Sequence, residues 1–160
     1  MSYHNGSVWP HDNAIIAAGL KRYGHDEAVI RIATALFEVS CAARDLRLPE
    51  LYCGFDRSER ASVVAYPVAC MPQAWPAAAP LLLLQTILGV SADAPARALQ
   101  IQGPTLPDWL GRVRLDGLCV GEASVTLAFD RHDPGTGFAL LGQRGKLNVT
   151  MVASESPPVG

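Results

Sequence analysis

The densest chemistry in the chain lies near its start. Tyr3, His4, Asn5, Ser7, Trp9, His11, Asp12 and Asn13 gather aromatic, imidazole, amide, hydroxyl and carboxylate groups ahead of an apolar segment. These types suit a sugar: aromatic faces stack on pyranose rings, and planar polar groups bind hydroxyls. Each has a plainer reading as well. Asp12 stands where a helix cap belongs. Asn5 beside Gly6 suits a turn. Trp9 suits a core, and His11 serves equally as a structural histidine. Ser7, His11 and Asp12 have the types of a hydrolase triad, but they crowd into one short turn, whereas triad members meet from separate segments.

Two later stretches are built alike. Leu48-Pro49-Glu50-Leu51-Tyr52-Cys53-Gly54-Phe55-Asp56 sets a carboxylate beside aromatics, and Pro67-Val68-Ala69-Cys70-Met71-Pro72-Gln73-Ala74-Trp75 leads into an apolar run. Taken as a residue type, Glu50 caps a helix or pairs with Arg47 or Arg57. Tyr52, Phe55 and Trp75 are either stacking platforms or core. Gln73 opens an apolar helix, so capping accounts for it.

Several function classes are excluded. The net charge of −2 carries no run of Lys or Arg, so nucleic acid and anionic membranes are not expected partners. Cys41, Cys53, Cys70 and Cys119 form no CxxC pair and no Cys/His cluster of zinc spacing. They read as free thiols, with no metal expected. No nucleotide-binding loop appears, so no cofactor is expected. The most apolar run, Ala77 to Val90, is shorter than the roughly 20 residues a membrane span needs, and Pro76 and Pro80 interrupt this region. The first residues lack the basic and apolar regions of a signal peptide, which points to a cytoplasmic protein. Asn5-Gly6-Ser7 and Asn148-Val149-Thr150 are then chance matches to the glycosylation pattern.

Around these stretches the pattern changes near residue 92. Apolar residues make up 49% of the chain, enough for a packed core. Asp12 caps a first helix with Ile15, Ile16 and Leu20 at helical spacing, stopped by Gly24. Asp26 caps a second, with Val29, Ile32, Ala33, Leu36, Phe37 and Ser40 on one face, fading before Pro49. Residues 47–71 read as a long irregular loop. A third helix runs from Pro72 to about Leu88, apolar nearly all round and so buried on several sides. From Ala92 the pattern alternates. Strands are expected at 98–102, 109–115, 118–120, 124–130, 138–141 and 147–152, with turns at Asp116-Gly117 and Asp133-Pro134-Gly135. The tail from Ser154 to Gly160 should fray.

The segment from Tyr3 to Asn13 closely resembles a motif of bacterial amylo-α-1,6-glucosidase-like, glycogen-debranching-type proteins, relatives of the mannosylglycerate hydrolase and trehalase group. The stretches 48–56 and 67–75 resemble the same family in the same order, and Leu106-Pro107-Asp108-Trp109-Leu110 resembles its C-terminal extension. The resemblance implies a mainly α then β fold. Residues 1–91 would be the C-terminal part of an (α/α)6 barrel, and residues 92–160 a small antiparallel β extension. It implies an inverting glycoside hydrolase acting on α-glucosidic bonds. Such an enzyme needs an acid for the leaving oxygen and a carboxylate, roughly 6.5–9.5 Å away, to activate water. By resemblance, Glu50 is the general base, and Asn5, Trp9, His11, Asp12, Tyr52, Gln73 and Trp75 bind oligosaccharide or polysaccharide. The acid would lie in an upstream part of the barrel, since Met1 matches an internal position of the family. An isolated piece should be inactive and should expose a large apolar patch. A non-catalytic carbohydrate-binding or structural module is the other reading.

Overall fold

The computed structural model describes residues 2–56 and 63–152. Among them are three α-helices and nine strands, in the order β1 (Ser7–Val8), α1 (Pro10–Arg22), α2 (Asp26–Ala42), β2 (Tyr52–Cys53), β3 (Val64–Ala65), α3 (Ala74–Leu88), β4 (Val90–Asp93), β5 (Ala98–Gln102), β6 (Arg112–Val120), β7 (Ala123–His132), β8 (Gly135–Arg144) and β9 (Asn148–Val152). The chain divides into two compact units. The first holds residues up to Arg22 together with Glu27–Leu84; the second holds Tyr23–Asp26 and everything from Gln85 onward.

This architecture overturns the expected (α/α)6-barrel fragment. Helices and strands occupy comparable lengths of chain, and the strands form three small sheets. A ring of helices would need each helix to bury a wide apolar stripe. Helix α1 instead buries the small residues Ala14 and Ala17 with Pro10, and leaves Ile15 and Ile16 more than half exposed.

The helices also begin elsewhere than expected. The first helical bond of α1 runs from the Asn13 amide to the Trp9 carbonyl at 3.1 Å, so Pro10 is the first helical residue and Asp12 lies inside the first turn. Proline fits there because its missing N–H would be unpaired anyway. Asp12 is then placed to complement the helix dipole rather than to cap. In α2, Val29, Ala33 and Leu36 are buried at steps of four and three, on the expected face. Helix α3 starts at Ala74, with the Ala77 amide bonding to the Gln73 carbonyl at 3.3 Å. It buries Pro76, Ala79, Leu83 and Ile87 along one stripe, adds Thr86 and Leu88 near its end, and leaves Trp75 and Leu81 exposed. Burial is therefore one-sided over its first turns and wider over its last.

Within the first unit, the stretch expected to be an irregular loop supplies two strands. β1, β2 and β3 form an antiparallel sheet with Val8 opposite Tyr52 and Tyr52 opposite Ala65. The Gly54 amide donates to the Gly6 carbonyl at 2.9 Å, and a Cβ at Gly54 would collide with that oxygen. Only glycine allows this approach. The core of the unit is Ala14, Ala17, Val29, Ala33, Leu36, Leu48, Leu51, Tyr52, Ala79 and Leu83. Arg57 lies outside the described residues.

The second unit contains two three-stranded sheets, β4-β5-β9 and β6-β7-β8. It is not purely antiparallel: β9 pairs parallel to β5, with Leu99 opposite Val149. Parallel partners need a long crossover, and here the chain makes β6, β7 and β8 between them. The turn expected at Asp116-Gly117 is instead a bulge within β6, and that strand continues to Val120. The hairpin closes at Gly121-Glu122, between the paired Val120 and Ala123. Gly121 takes a φ of 59°, the first central position of a two-residue turn that glycine favours. A second bulge, in β8, lies at the same level, so Thr126 of β7 faces an extra residue on each side. Val125, Leu127 and Phe129 alternate inward along β7 and join Leu99 and Ile101 in the core. The tail expected to fray lies outside the described residues.

Phe129 is fully buried and its ring centroid lies 5.6 Å from that of Phe138. Phe129→Ala should cost about 3–5 kcal/mol of stability in urea unfolding. A loss under about 1 kcal/mol would place the core of the sheet on its other face.

Candidate functional site

The first unit gathers its chemistry around Glu50. Burial of the flanking Leu48, Pro49, Leu51 and Tyr52 draws this carboxylate inward, and Glu50 itself is only 8% exposed. A buried carboxylate must find donors. The Tyr3 hydroxyl donates to Oε1 at 2.6 Å and the Cys70 amide to Oε2 at 3.2 Å. The Glu50 amide in turn donates to the Cys70 carbonyl at 3.0 Å. Reciprocal bonds thus clamp residue 50 to residue 70, and the phenol closes the cluster from 47 positions away.

These donors set the charge. The Tyr3 hydroxyl foremost, then the Cys70 amide and the Gln73 side chain, hold the Glu50 carboxyl below its usual range, against an opposing effect of burial. The Tyr3 phenol is pushed up to about 12, chiefly by its bond to the carboxylate. Glu50 is therefore ionised at neutral pH. It suits accepting a proton or stabilising positive charge, and does not suit donating a proton.

An aromatic group surrounds the phenol. Tyr3 meets His4, Trp9 and Tyr66 edge to face, with ring centroids 4.7, 4.8 and 5.9 Å apart. His4 stacks on Trp9, with the planes 7° apart. Trp9 contacts His11, which contacts Trp75 at 5.8 Å. Trp75 itself is 64% exposed and offers a free ring surface on the first turn of α3.

The other residues singled out from the sequence fall in three places. Gln73 precedes the first turn of α3 and directs its side chain to Glu50 instead of capping, while its Oε1 is buried with no partner among the described residues. His11 lies 3.6 Å from the Asp12 carboxylate through Nε2, and its Nδ1 is buried and unpartnered among the described residues. Asp12 is exposed. Asn5 is exposed too and forms a tight turn with Ser2 through two backbone bonds. Tyr52 is not brought to the cluster. It lines an apolar cleft of about 310 Å³ with Val8, Ile32, Leu36, Val39 and Phe55, and burial pushes its phenol up to about 12. The recorded partners of Glu50 do not include Arg47.

Two participants escaped the sequence reading. Tyr3 and Cys70 lie inside the stretches already singled out, yet nothing local marks them as partners of Glu50. The signal available was shared membership in those stretches. Among the described residues no group of His, Cys, Asp and Glu could hold a metal.

No protein-family model matches this chain, and no curated protein does so either.

The depressed Glu50 carboxyl gives the stability of this unit a defined pH dependence. Its contribution is complete above the unfolded value near 4.5 and is lost as the pH falls through the lower folded value. Glu50→Gln removes that contribution and also sets an amide NH2 toward the donors. Its melting temperature should fall at pH 7, and the acid decline of the parent should flatten below pH 4.5. Identical acid declines in parent and variant would count against an ionised, donor-held Glu50.

Proposed function

We propose that the first unit carries the general-base half of a glycoside hydrolase site for α-glucosidic bonds, of the glycogen-debranching, inverting type. The observation that carries this reading is an ionised Glu50, held by Tyr3 and Cys70 beside an aromatic group that ends in the exposed Trp75. In an inverting reaction the base must be a carboxylate at working pH, because it takes a proton from the attacking water. Tyr3 and the Cys70 amide each engage one Glu50 oxygen and the Gln73 side chain also donates to the carboxylate, so an attacking water would exchange with one of these donors. The general acid needs the opposite environment, one that raises its pKa. No second carboxylate among the described residues shares the hydrogen bonds of Glu50. In an inverting site the acid stands roughly 6.5–9.5 Å from the base, so it belongs outside the hydrogen bonds of Glu50.

Glycogen-type chains suit the rest of the cluster. Trp75 provides an exposed ring face for a glucose unit. A second reading has its own support. An exposed Trp75, at the far end of the ring chain from a carboxylate already engaged by donors, also fits a module that binds oligosaccharide without cleaving it.

Reducing-sugar release from a panel of α-glucosides separates the two, measured with this chain and with the longest polypeptide that contains it. Hydrolysis should occur where the acid is supplied, and Glu50→Gln should lower kcat by about 10²–10⁴. Unchanged turnover in that variant would remove Glu50 from the base role. Maltooligosaccharide binding without release, weakened about tenfold by Trp75→Ala, would establish the binding module instead.

A further inference from the structure

We propose that Tyr3 is the positioning residue of the Glu50 carboxylate, held in place by a frame of Trp9, His4 and Tyr66. Its role in hydrolysis rests on the reading of Glu50 as base; its role in holding the carboxylate does not.

The geometry begins with the phenol. Its 2.6 Å bond to Oε1 lies in the short range of charge-assisted O–H···O⁻ bonds. A phenol has one proton to give, so this bond fixes which carboxylate oxygen is engaged and from which side. The Cys70 amide takes the other oxygen, and being backbone it is carried by the reciprocal clamp. Together they remove the rotation a glutamate side chain otherwise keeps. The carboxylate is thereby held in one orientation, as a base that must meet a water in line requires.

A phenol can serve this way only if its own ring is held. Three rings meet Tyr3 at angles of 71° to 87°, the edge-to-face arrangement aromatic pairs prefer. The near-parallel His4–Trp9 stack braces two of those three against each other. Trp9 is thus engaged by Tyr3, His4 and His11 and serves as part of a frame, which leaves Trp75 as the stacking surface. The titratable groups facing Glu50 are Tyr3 and Cys70, with Tyr66 and His4 behind the phenol.

The test reads the carboxylate directly. The chain is labelled with glutamate carrying ¹³C at the side-chain carboxyl, and the Glu50 signal is assigned by its absence from Glu50→Gln. Tyr3→Phe keeps the ring and its edge contacts and removes only the donor. The Glu50 titration midpoint should then move to higher pH, and in the hydrolytically competent polypeptide the acid limb of kcat/KM should move with it. If Tyr3→Phe does not fold, 3-fluorotyrosine at position 3 serves instead: its more acidic phenol is a stronger donor, so the midpoint should move to lower pH. A midpoint that stays put in a folded variant overturns the positioning role. A midpoint that moves while no polypeptide releases sugar upholds the positioning role and overturns the hydrolase reading.

Discussion

A carboxylate withdrawn from water must be met by donors, and the first unit is organised by that requirement. Leu48, Leu51 and Tyr52 bury their own side chains and draw Glu50 in with them. The donors then come from stretches far apart in sequence, Tyr3 before the first helix and Cys70 before the third. The short sheet β1-β2-β3 and the Gly54–Gly6 contact run the same three stretches side by side. Remove the charge, and the bond from the Cys70 amide to Glu50 loses its charge assistance. The strands involved are only two residues long, too short to hold those stretches by pairing alone.

The same interactions serve charge and orientation together. A donor that lowers the proton affinity of Glu50 also fixes the direction of its lone pairs. A carboxylate held in this way gives up some intrinsic basicity for constant ionisation and a constant orientation. The division among the aromatic residues follows. Rings that brace Tyr3 are engaged with one another, while Trp75, at the end of the group, keeps most of its surface open.

How much of this was legible depended on distance along the chain. Helix α2 was visible because Val29, Ala33 and Leu36 repeat at its own pitch, and β5 because Ala98 to Gln102 alternates. Helix α1 was found, but its buried face was misjudged: periodicity marks a face and does not say whether Ile15 or Ala14 lies inward. The strands β2 and β3 have two residues each, too few for a period. The parallel pairing of β5 with β9 joins segments separated by an entire three-stranded sheet, and no local pattern encodes it. The barrel expectation failed for a related reason, since short motifs do not specify how helices and strands pack. In the site, Glu50 was singled out through the family resemblance, while its principal donor was hidden 47 residues away.

The paired bulges of the second unit bear on what the protein avoids. In the sheet β6-β7-β8 the outer strands are β6 and β8, and each is interrupted opposite Thr126. An outer strand with an unbroken ladder of amides and carbonyls is a template for a stranger's strand. Here a newcomer would meet a kink partway along either border, at the same height on both. Such interruptions on both borders disfavour edge-to-edge pairing of this sheet, while the middle strand β7 keeps its inward residues for the core.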